Sequence, residues 1–271
     1  MSTLSYTVSD TMTMLRRNLR HMQRYKSLTL MLVGMPVVFL LLFVYVFGGT
    51  LGAGLHGIPG LGGLPGGRAG YVNYVVPGIM LMAVAAAVQG TAIAVAMDMT
   101  EGIVARFRTM AISRSALLTA HVAGSMIQAA LAVAVTVGVA LLAGFRPSAG
   151  PLGWLAAIGI LALFALALTW LTVALGLAAK SVETASNSPM FLTLLPFLGS
   201  GFVPTRSMPA GLRQFAEYQP FTPVTETVRG LLMGTQIGND AILAVAWCAA
   251  IALAGYIWAR RLYSRDPVRQ P

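Results

Sequence analysis

The sequence predicts an all-α integral membrane protein with six transmembrane helices. Hydrophobic residues make up 57% and charged residues only 10% of the 271 positions, whereas about a quarter of an ordinary soluble protein is charged. Mean hydropathy is +0.77. Six stretches of about 19 or more residues lack Asp, Glu, Lys and Arg, and a helix of that length crosses a bilayer core of roughly 30 Å. These stretches are 27–68 (with Arg68 as its boundary residue), 69–97, 115–145, 147–179, 184–205 and 241–259.

The distribution of basic residues predicts the orientation. The net charge is +10, and 13 of the 18 lysines and arginines lie on one side if both termini are placed in the cytoplasm. Cytoplasmic loops of membrane proteins are enriched in Lys and Arg, and an even number of spans puts both termini on the same side. The bias therefore predicts cytoplasmic termini, and it argues against nucleic-acid binding as the reason for the charge.

Residues 1–27 precede the first span, and their pattern predicts an interfacial amphipathic helix. Apolar residues recur at alternating steps of four and three, and four arginines fall on the opposite side. Such a helix lies in the membrane interface, where arginines contact anionic headgroups. The alternative is a basic tail that only follows the positive-inside rule. The apolar stripe is Val8, Met12, Leu15, Leu19 and Met22, and the arginines are Arg16, Arg17, Arg20 and Arg24.

The first two spans are predicted over 28–47 and 74–97. Pro36 predicts a kink in the first, because proline is tolerated in membrane helices but lacks the N–H that a helix uses. The Gly- and Pro-rich residues 48–70 predict a flexible external loop.

Charge returns abruptly after the second span, in residues 98–114. Thr100 can cap a short helix, and Glu101 favours the positive end of its dipole. Ile103, Phe107 and Met110 share one face of that helix, with Arg106 and Arg114 among its basic residues. The pattern predicts a short amphipathic helix at the inner membrane surface; the alternative is a charged loop whose apolar residues align by chance.

The third and fourth spans, predicted over 117–144 and 152–179, are joined by a short turn and are expected to pair as an antiparallel hairpin. Both are rich in Ala and Gly, which permits close helix contact in lipid. The fifth span is predicted over 187–203 and contains Pro189 and Pro196. Two prolines predict a kinked or broken helix there.

Residues 204–240, before the sixth span at 241–259, predict an outer re-entrant helical hairpin. Ser207 and Pro209 suit the start of a short helix that ends near Tyr218, and Thr222 suits the N-cap of a second helix that ends at Gly234. Two half-apolar helices can enter the outer leaflet and return only if protein covers their backbone. Glu226 and Arg229 stand three residues apart on the second helix, where they are expected to form an ion pair.

The sequence offers no catalytic or metal-binding constellation. The three histidines lie in unrelated segments, and His121 is expected to be a hydrogen-bonded packing residue rather than a proton relay. A secondary transporter places an ionisable residue near the bilayer midplane, and the predicted spans contain none there. No phosphate-binding G-x-x-x-x-G-K-[ST] motif occurs, so ATP-driven transport would require a separate ATPase subunit.

With these features the chain resembles the membrane subunit of an ABC type-2 exporter, most closely the daunorubicin-resistance-type permeases of actinobacteria. The resemblance covers nearly the whole length, so that 1–271 is expected to be a single transmembrane domain. Its most specific part is the outer segment 201–234; the inside segment 101–121 departs from the family in having Ala111 where members often have proline. The outer residues that carry the match are Pro204, Pro209, Pro220, Pro223, Glu226, Arg229 and Gly234.

The resemblance implies a mechanism and partners. Residues 98–114 would contain the coupling helix that docks on an ABC ATPase subunit, which binds ATP and Mg. Two identical or paralogous permease subunits would join two ATPase subunits, with a path lined largely by the first, second and fifth spans. The apolar spans favour an amphiphilic substrate, a hydrophobic drug or a lipid. The alternatives are a non-transporting assembly or immunity factor of the same fold, and an ion-coupled carrier.

Overall fold

The computed structural model describes residues 12, 16, 26–54, 66–100 and 114–264. These residues are mostly helical, and this part of the chain contains no β-strand. Five helical runs within it are long and apolar enough to cross a membrane. This confirms a multi-pass, all-helical membrane protein. The runs are Leu30–Ala53, Gly67–Thr100, Leu118–Leu142, Pro151–Ala178 and Asp240–Tyr263.

The first run consists of three helical pieces: α1 (Lys26–Leu41), a π-helical turn (Leu42–Phe47) and α2 (Gly48–Ala53). The expectation of a loop from residue 48 is therefore wrong at its start. Gly52 explains the difference, because a Cβ at this position would overlap the backbone of Gly67. The missing side chain lets α2 lie against the start of the next helix, and the contact supports a helix that glycine-rich sequence alone disfavours.

The centre of the bundle is α3 (Gly67–Thr100), the most buried of the five runs. Its 34 residues extend about 51 Å, more than a bilayer core of roughly 30 Å requires. α4 (Arg114–Leu142) and α5 (Pro151–Ala178) follow as the predicted hairpin and pack on α3. The last helix, α10 (Asp240–Ser264), packs mainly on α5.

The predicted fifth span is broken, as its two prolines indicated. It consists of α6 (Val182–Asn187), α7 (Met190–Leu194) and a 3-10 turn (Leu195–Leu198). Each piece is far too short to cross a bilayer, so the prediction of six transmembrane helices is not confirmed: the described residues contain five candidate spans. We call residues 182–203 the broken segment.

The residues before α10 form a 3-10 turn (Thr205–Ser207), α8 (Ala210–Tyr218) and α9 (Phe221–Met233). The predicted ends at Tyr218 and Gly234 are confirmed, and Gly234 has the left-handed φ of +70° that favours glycine. The predicted N-cap at Thr222 is wrong. The N-cap is Pro220, two residues earlier than predicted, and the Thr222 hydroxyl instead accepts a hydrogen bond from the Ser200 amide.

Following the predicted orientation, we call the end of the bundle that carries α8 and α9 the outer end. α9 is largely buried there: its apolar residues Val224, Val228 and Leu232 are fully enclosed, and Leu231 is partly exposed. α8 is different, because the apolar side chains Leu212 and Phe215 are exposed. Of these two helices, only α9 is covered by the rest of this chain.

Candidate functional site

A buried arginine organises the outer end of the bundle. Arg229 lies on α9 and is 1% exposed. Its Nη1 donates to Glu226 Oε1 at 2.5 Å, and its Nη2 donates to the Ser200 carbonyl at 2.8 Å. Nε and Nη2 both donate to the Tyr74 carbonyl, at 3.2 and 3.1 Å. We call Tyr74, Ser200, Glu226 and Arg229 the outer arginine cluster.

Tyr74 contacts the guanidinium with its ring as well as its backbone. The Arg229 Cζ lies 3.9 Å from the ring centroid, within the range of a cation–π interaction. The Tyr74 hydroxyl donates to the Ser200 carbonyl at 2.9 Å. One tyrosine thus links α3, α9 and the end of the broken segment.

The backbone of α3 is locally suited to this contact. Pro77 lies inside the helix, where a proline removes one backbone donor and displaces the preceding turn. The carbonyl that loses its helical donor is that of Asn73, four residues before Pro77, and Tyr74 is the next residue. A planar guanidinium has five donors, so Arg229 can make four hydrogen bonds to two carbonyls and a carboxylate, one more than the three donors of a lysine allow.

The charge of Arg229 is balanced within the cluster. Burial acts to lower the pKa of the guanidinium, but the Glu226 carboxylate and Tyr74 raise it above its ordinary value. The arginine therefore remains a cation. The Glu226 side chain is 33% exposed, so its carboxylate keeps some access to the surroundings while Arg229 has none.

Side chains of α3 and of Gln219, which follows α8, donate hydrogen bonds to carbonyl groups of the broken segment. A broken helix leaves carbonyl groups without helical partners, which is tolerated at membrane depth only where protein supplies donors. Gln89 Nε2 donates to the Ser186 carbonyl at 2.9 Å, Gln219 Nε2 to Leu195 at 3.0 Å, and the Tyr71 hydroxyl to Phe202 at 3.1 Å. The broken segment is therefore held in place by polar side chains.

Two glycines bring the broken segment against α3. A Cβ at Gly78 would overlap the carbonyl of Gly201, and a Cβ at Gly201 would lie 3.4 Å from the Gly78 Cα. The two backbones are in direct contact. This close approach places Ser200 next to Tyr74, within reach of Arg229.

Near this contact, two buried polar atoms have no hydrogen-bond partner among the residues described: Ser200 Oγ and Gln219 Oε1. Both residues also use another polar atom, since the Ser200 amide donates to Thr222 and Gln219 donates to Leu195. Unpaired atoms of this kind cost about 1–3 kcal/mol each.

Aromatic side chains join the first run to the broken segment. Phe197 and Phe202 are stacked, with centroids 4.4 Å apart and planes at 2°. Phe43 of the π-helical turn lies 4.6 Å from Phe202, centroid to centroid. We call Phe43, Phe197 and Phe202 the aromatic cluster. Sequence analysis did not single out these residues, because their spacing along the chain shows no contact.

The predicted outer residues fall into two groups. Glu226 and Arg229 form the expected pair, and Pro223 is buried in the first turn of α9. Pro204, Pro209 and Pro220 stand immediately before the 3-10 turn, α8 and α9. These three prolines set where helices start and lie outside the outer arginine cluster.

Most of the other predicted site residues lie outside the described part of the chain. These are Glu101, Ile103, Arg106, Phe107 and Met110 of the inside segment, and Arg17, Arg20 and Arg24 of the interfacial helix. Arg16 is helical and exposed, and Arg114 is the first residue of α4. The hydroxyl of Thr100, at the end of α3, donates to the carbonyls of Ala96 and Met97.

A second buried polar contact lies at the inner end, and sequence analysis predicted only half of it. His121 Nε2 lies 3.0 Å from Asp98 Oδ2, and both residues are buried. This confirms His121 as a hydrogen-bonded residue. The sequence pattern does not indicate its partner, because Asp98 directly follows the predicted second span and belongs to the charged inside segment 98–114.

The comparisons with known proteins agree with these features. The family model described as "ABC-2 type transporter" matches residues 9–233. The chain is 28% identical over 257 residues to the "Daunorubicin resistance ABC transporter permease protein DrrB1" of Streptomyces coeruleorubidus, which covers 94% of this chain and 86% of that relative.

A second relative is more distant. The "Probable doxorubicin resistance ABC transporter permease protein DrrC" of Mycobacterium tuberculosis is 23% identical over 179 residues, covering 65% of this chain and 64% of the relative. The family match includes the central helix α3, the broken segment and the buried arginine of α9. This chain belongs to the ABC-2 type transporter family.

Proposed function

We propose that this chain is the permease subunit of an ATP-driven exporter that moves an amphiphilic substrate, a hydrophobic drug or a lipid, out of the cytoplasm or inner leaflet of the plasma membrane. The observation that carries the proposal is the family match over residues 9–233. The sequence contains no phosphate-binding loop. ATP and Mg are therefore assigned to a separate ABC ATPase subunit, and this chain is assigned no enzymatic role.

The substrate class is supported by two observations. The named relatives are resistance permeases for daunorubicin and doxorubicin. In this chain, the aromatic cluster lies where the first run meets the broken segment. Flat aromatic and apolar surfaces attract amphiphilic molecules of the same character. We place part of the substrate path along this cluster.

The assembly and orientation follow from the proposed role. Two permease subunits, identical or paralogous, would enclose the path, and the basic residues favour cytoplasmic termini. Residues 98–114 would receive force from the ATPase subunit, and the four N-terminal arginines would anchor residues 1–27 at the inner interface.

The outer arginine cluster is proposed as the outer gate. It joins three elements, α3, α9 and the broken segment, through one side chain. Because Arg229 bonds to all of these elements, opening the outer end would require Arg229 to exchange its partners.

Transport in inside-out membrane vesicles tests the function. The chain would be co-expressed with an ABC ATPase subunit, and uptake of doxorubicin would be followed by its fluorescence with and without ATP. We expect uptake that requires both subunits and ATP, and no uptake with an ATPase subunit whose phosphate-binding lysine is replaced. Uptake driven by a proton gradient without ATP would identify an ion-coupled carrier instead. A stable chain that transports neither doxorubicin nor a fluorescent lipid under any condition would favour the non-transporting alternative.

A further inference from the structure

The inner end of the bundle contains a buried acid and a buried histidine in contact. Asp98 Oδ2 and His121 Nε2 are 3.0 Å apart, and the side chains are 9% and 4% exposed. The hydrogen bond therefore lies inside the protein. Asp98 belongs to α3 and His121 to α4, so the contact joins two different helices.

The position of the pair along the chain is specific. Asp98 lies two residues before the last residue of α3, Thr100, and His121 lies seven residues after Arg114, the first residue of α4. In sequence, residues 101–113 connect these two helices. The pair thus joins the two helices on either side of the segment to which ATPase contact is assigned.

An apolar cluster lies directly beside the pair. It consists of Val95, Val122, Val173, Ala174 and Ala259 and includes residues of α3, α4, α5 and α10. Val95 stands three residues before Asp98, and Val122 follows His121. α5 approaches α3 closely at this level, because a Cβ at Gly176 would lie 2.7 Å from the carbonyl oxygen of Ala92. The inner ends of four helices are packed together next to the pair.

The two kinds of contact have different mechanical properties. Apolar side chains in a packed core tolerate rearrangement if volume is kept. A buried hydrogen bond with a charged partner requires one distance and one direction, and it leaves a buried polar group unpaired when it is displaced. Asp98 and His121 therefore determine how α3 is placed relative to α4 more narrowly than the surrounding valines do.

We propose that Asp98 and His121 are a positioning pair for energy coupling: they hold the inner ends of α3 and α4 in one relative position, so that force applied to the segment between them moves the four packed helix ends together. The proposal rests on the proposed function, since it presupposes that an ATPase subunit acts on that segment. Loss of the pair would leave ATP hydrolysis intact and would uncouple it from transport.

Variants of the pair test this role in the assembled transporter. Asp98→Asn, His121→Gln and the exchange of both residues (Asp98→His with His121→Asp) would be compared in the doxorubicin vesicle assay. The matched control is Ser125→Ala, which removes a buried hydrogen bond of 3.0 Å between Ser125 on α4 and Thr169 on α5. Three quantities are measured: ATPase subunit retained on purification, ATP hydrolysis, and doxorubicin transported per ATP.

We expect both single variants to retain the ATPase subunit and its hydrolysis, while transport per ATP falls by about 2- to 30-fold, the range typical of residues that carry coupling. The exchange variant should recover part of this loss, and Ser125→Ala should leave the ratio unchanged. Normal coupling in both single variants, or an equal loss in Ser125→Ala, would overturn the proposal. Absence of the single and exchanged variants from the membrane would also reject it, because the pair would then serve folding. If the wild-type chain and its ATPase subunit together show no ATP-driven uptake, the proposed function is rejected, and not the role of Asp98 and His121 alone.

Discussion

The guanidinium of Arg229 lies over the ring of Tyr74, with its Cζ 3.9 Å from the centroid, and donates to the carbonyl of the same residue. The two residues are 155 positions apart. This relationship makes α9, a helix too short to span a membrane, part of the core around α3. It also explains how a charged residue is accommodated in an apolar protein, since its donors bond to α3, the broken segment and Glu226.

Removal of either charge from the pair on α9 should have unequal effects. Arg229→Gln removes the guanidinium donors from the Tyr74 and Ser200 carbonyls and leaves Glu226 without its cation, and we expect a loss of about 3 kcal/mol in stability. Glu226→Gln leaves the buried Arg229 without its counter-ion, but the new amide keeps an oxygen that can accept from Nη1, so we expect a smaller loss of about 1–2 kcal/mol. The double variant should cost less than the two losses combined. Thermal unfolding of the purified protein in detergent, followed by tryptophan fluorescence, measures this.

The control for this experiment is present on α8. Arg213 and Glu217 form an ion pair of 2.7 Å with side chains 45% and 37% exposed. Arg213→Gln should change stability by only about 0–1 kcal/mol. Equal effects of Arg213→Gln and Arg229→Gln would contradict the view that burial makes the Arg229 pair important.

The two roles of Tyr74 can be separated by two substitutions. Tyr74→Phe removes the hydroxyl bond to Ser200 and keeps the ring under Arg229, which should cost about 1 kcal/mol. Tyr74→Leu also removes the cation–π contact and should cost roughly 0.5–2 kcal/mol more. Unfolding measurements on the same two substitutions at Tyr71, whose hydroxyl bonds to Phe202, provide the comparison. If the loss of stability caused by leucine exceeds that caused by phenylalanine by the same amount at positions 74 and 71, the Tyr74 ring does not stabilise Arg229.

The contact between Gly78 and Gly201 should not accept a methyl group. Gly78→Ala would place a Cβ against the Gly201 backbone, and such overpacking costs about 1–3 kcal/mol. It should also lower ATP-driven doxorubicin uptake, because Ser200 moves away from Arg229. Gly138→Ala is the matched control, since nothing lies within 4 Å of a Cβ there; it should be neutral or stabilising by up to about 1 kcal/mol. A stable, fully active Gly78→Ala variant would show that the broken segment moves aside at no cost.

The proposed docking role of residues 98–114 is tested by a charge on its predicted apolar face. Phe107→Asp should reduce both co-purification of the ATPase subunit and ATP-driven uptake, because a carboxylate in an apolar contact must be desolvated without a partner. Tyr218→Asp, at an exposed position of the outer end, should leave the complex intact. An unchanged complex with full transport in Phe107→Asp would exclude this face as the docking surface.

Sequence reasoning was most successful where the signal is local. The breaks at Pro189 and Pro196 and the stop at Gly234 follow from single residues whose backbone chemistry is decisive. It was less successful at Thr222, where the residue has the right chemistry for an N-cap but its hydroxyl accepts from the Ser200 amide instead. A capping preference of about 1 kcal/mol is easily outweighed by a buried tertiary hydrogen bond.

The apolar stretches of the sequence are sufficient to identify a helical membrane protein, because the length and polarity of such a stretch decide whether it can exchange water for lipid. The sequence also determined that Glu226 and Arg229 share one side of a helix. The contacts of Arg229 with Tyr74 and Ser200, and of Asp98 with His121, are visible only in the folded protein. These contacts depend on how helices distant in sequence are placed. Gly78 and Gly201 permit one such placement, but a glycine in the sequence does not indicate which residue it will contact. Hydropathy carries no information on that placement, since lipid-facing and protein-facing sides of these helices are equally apolar.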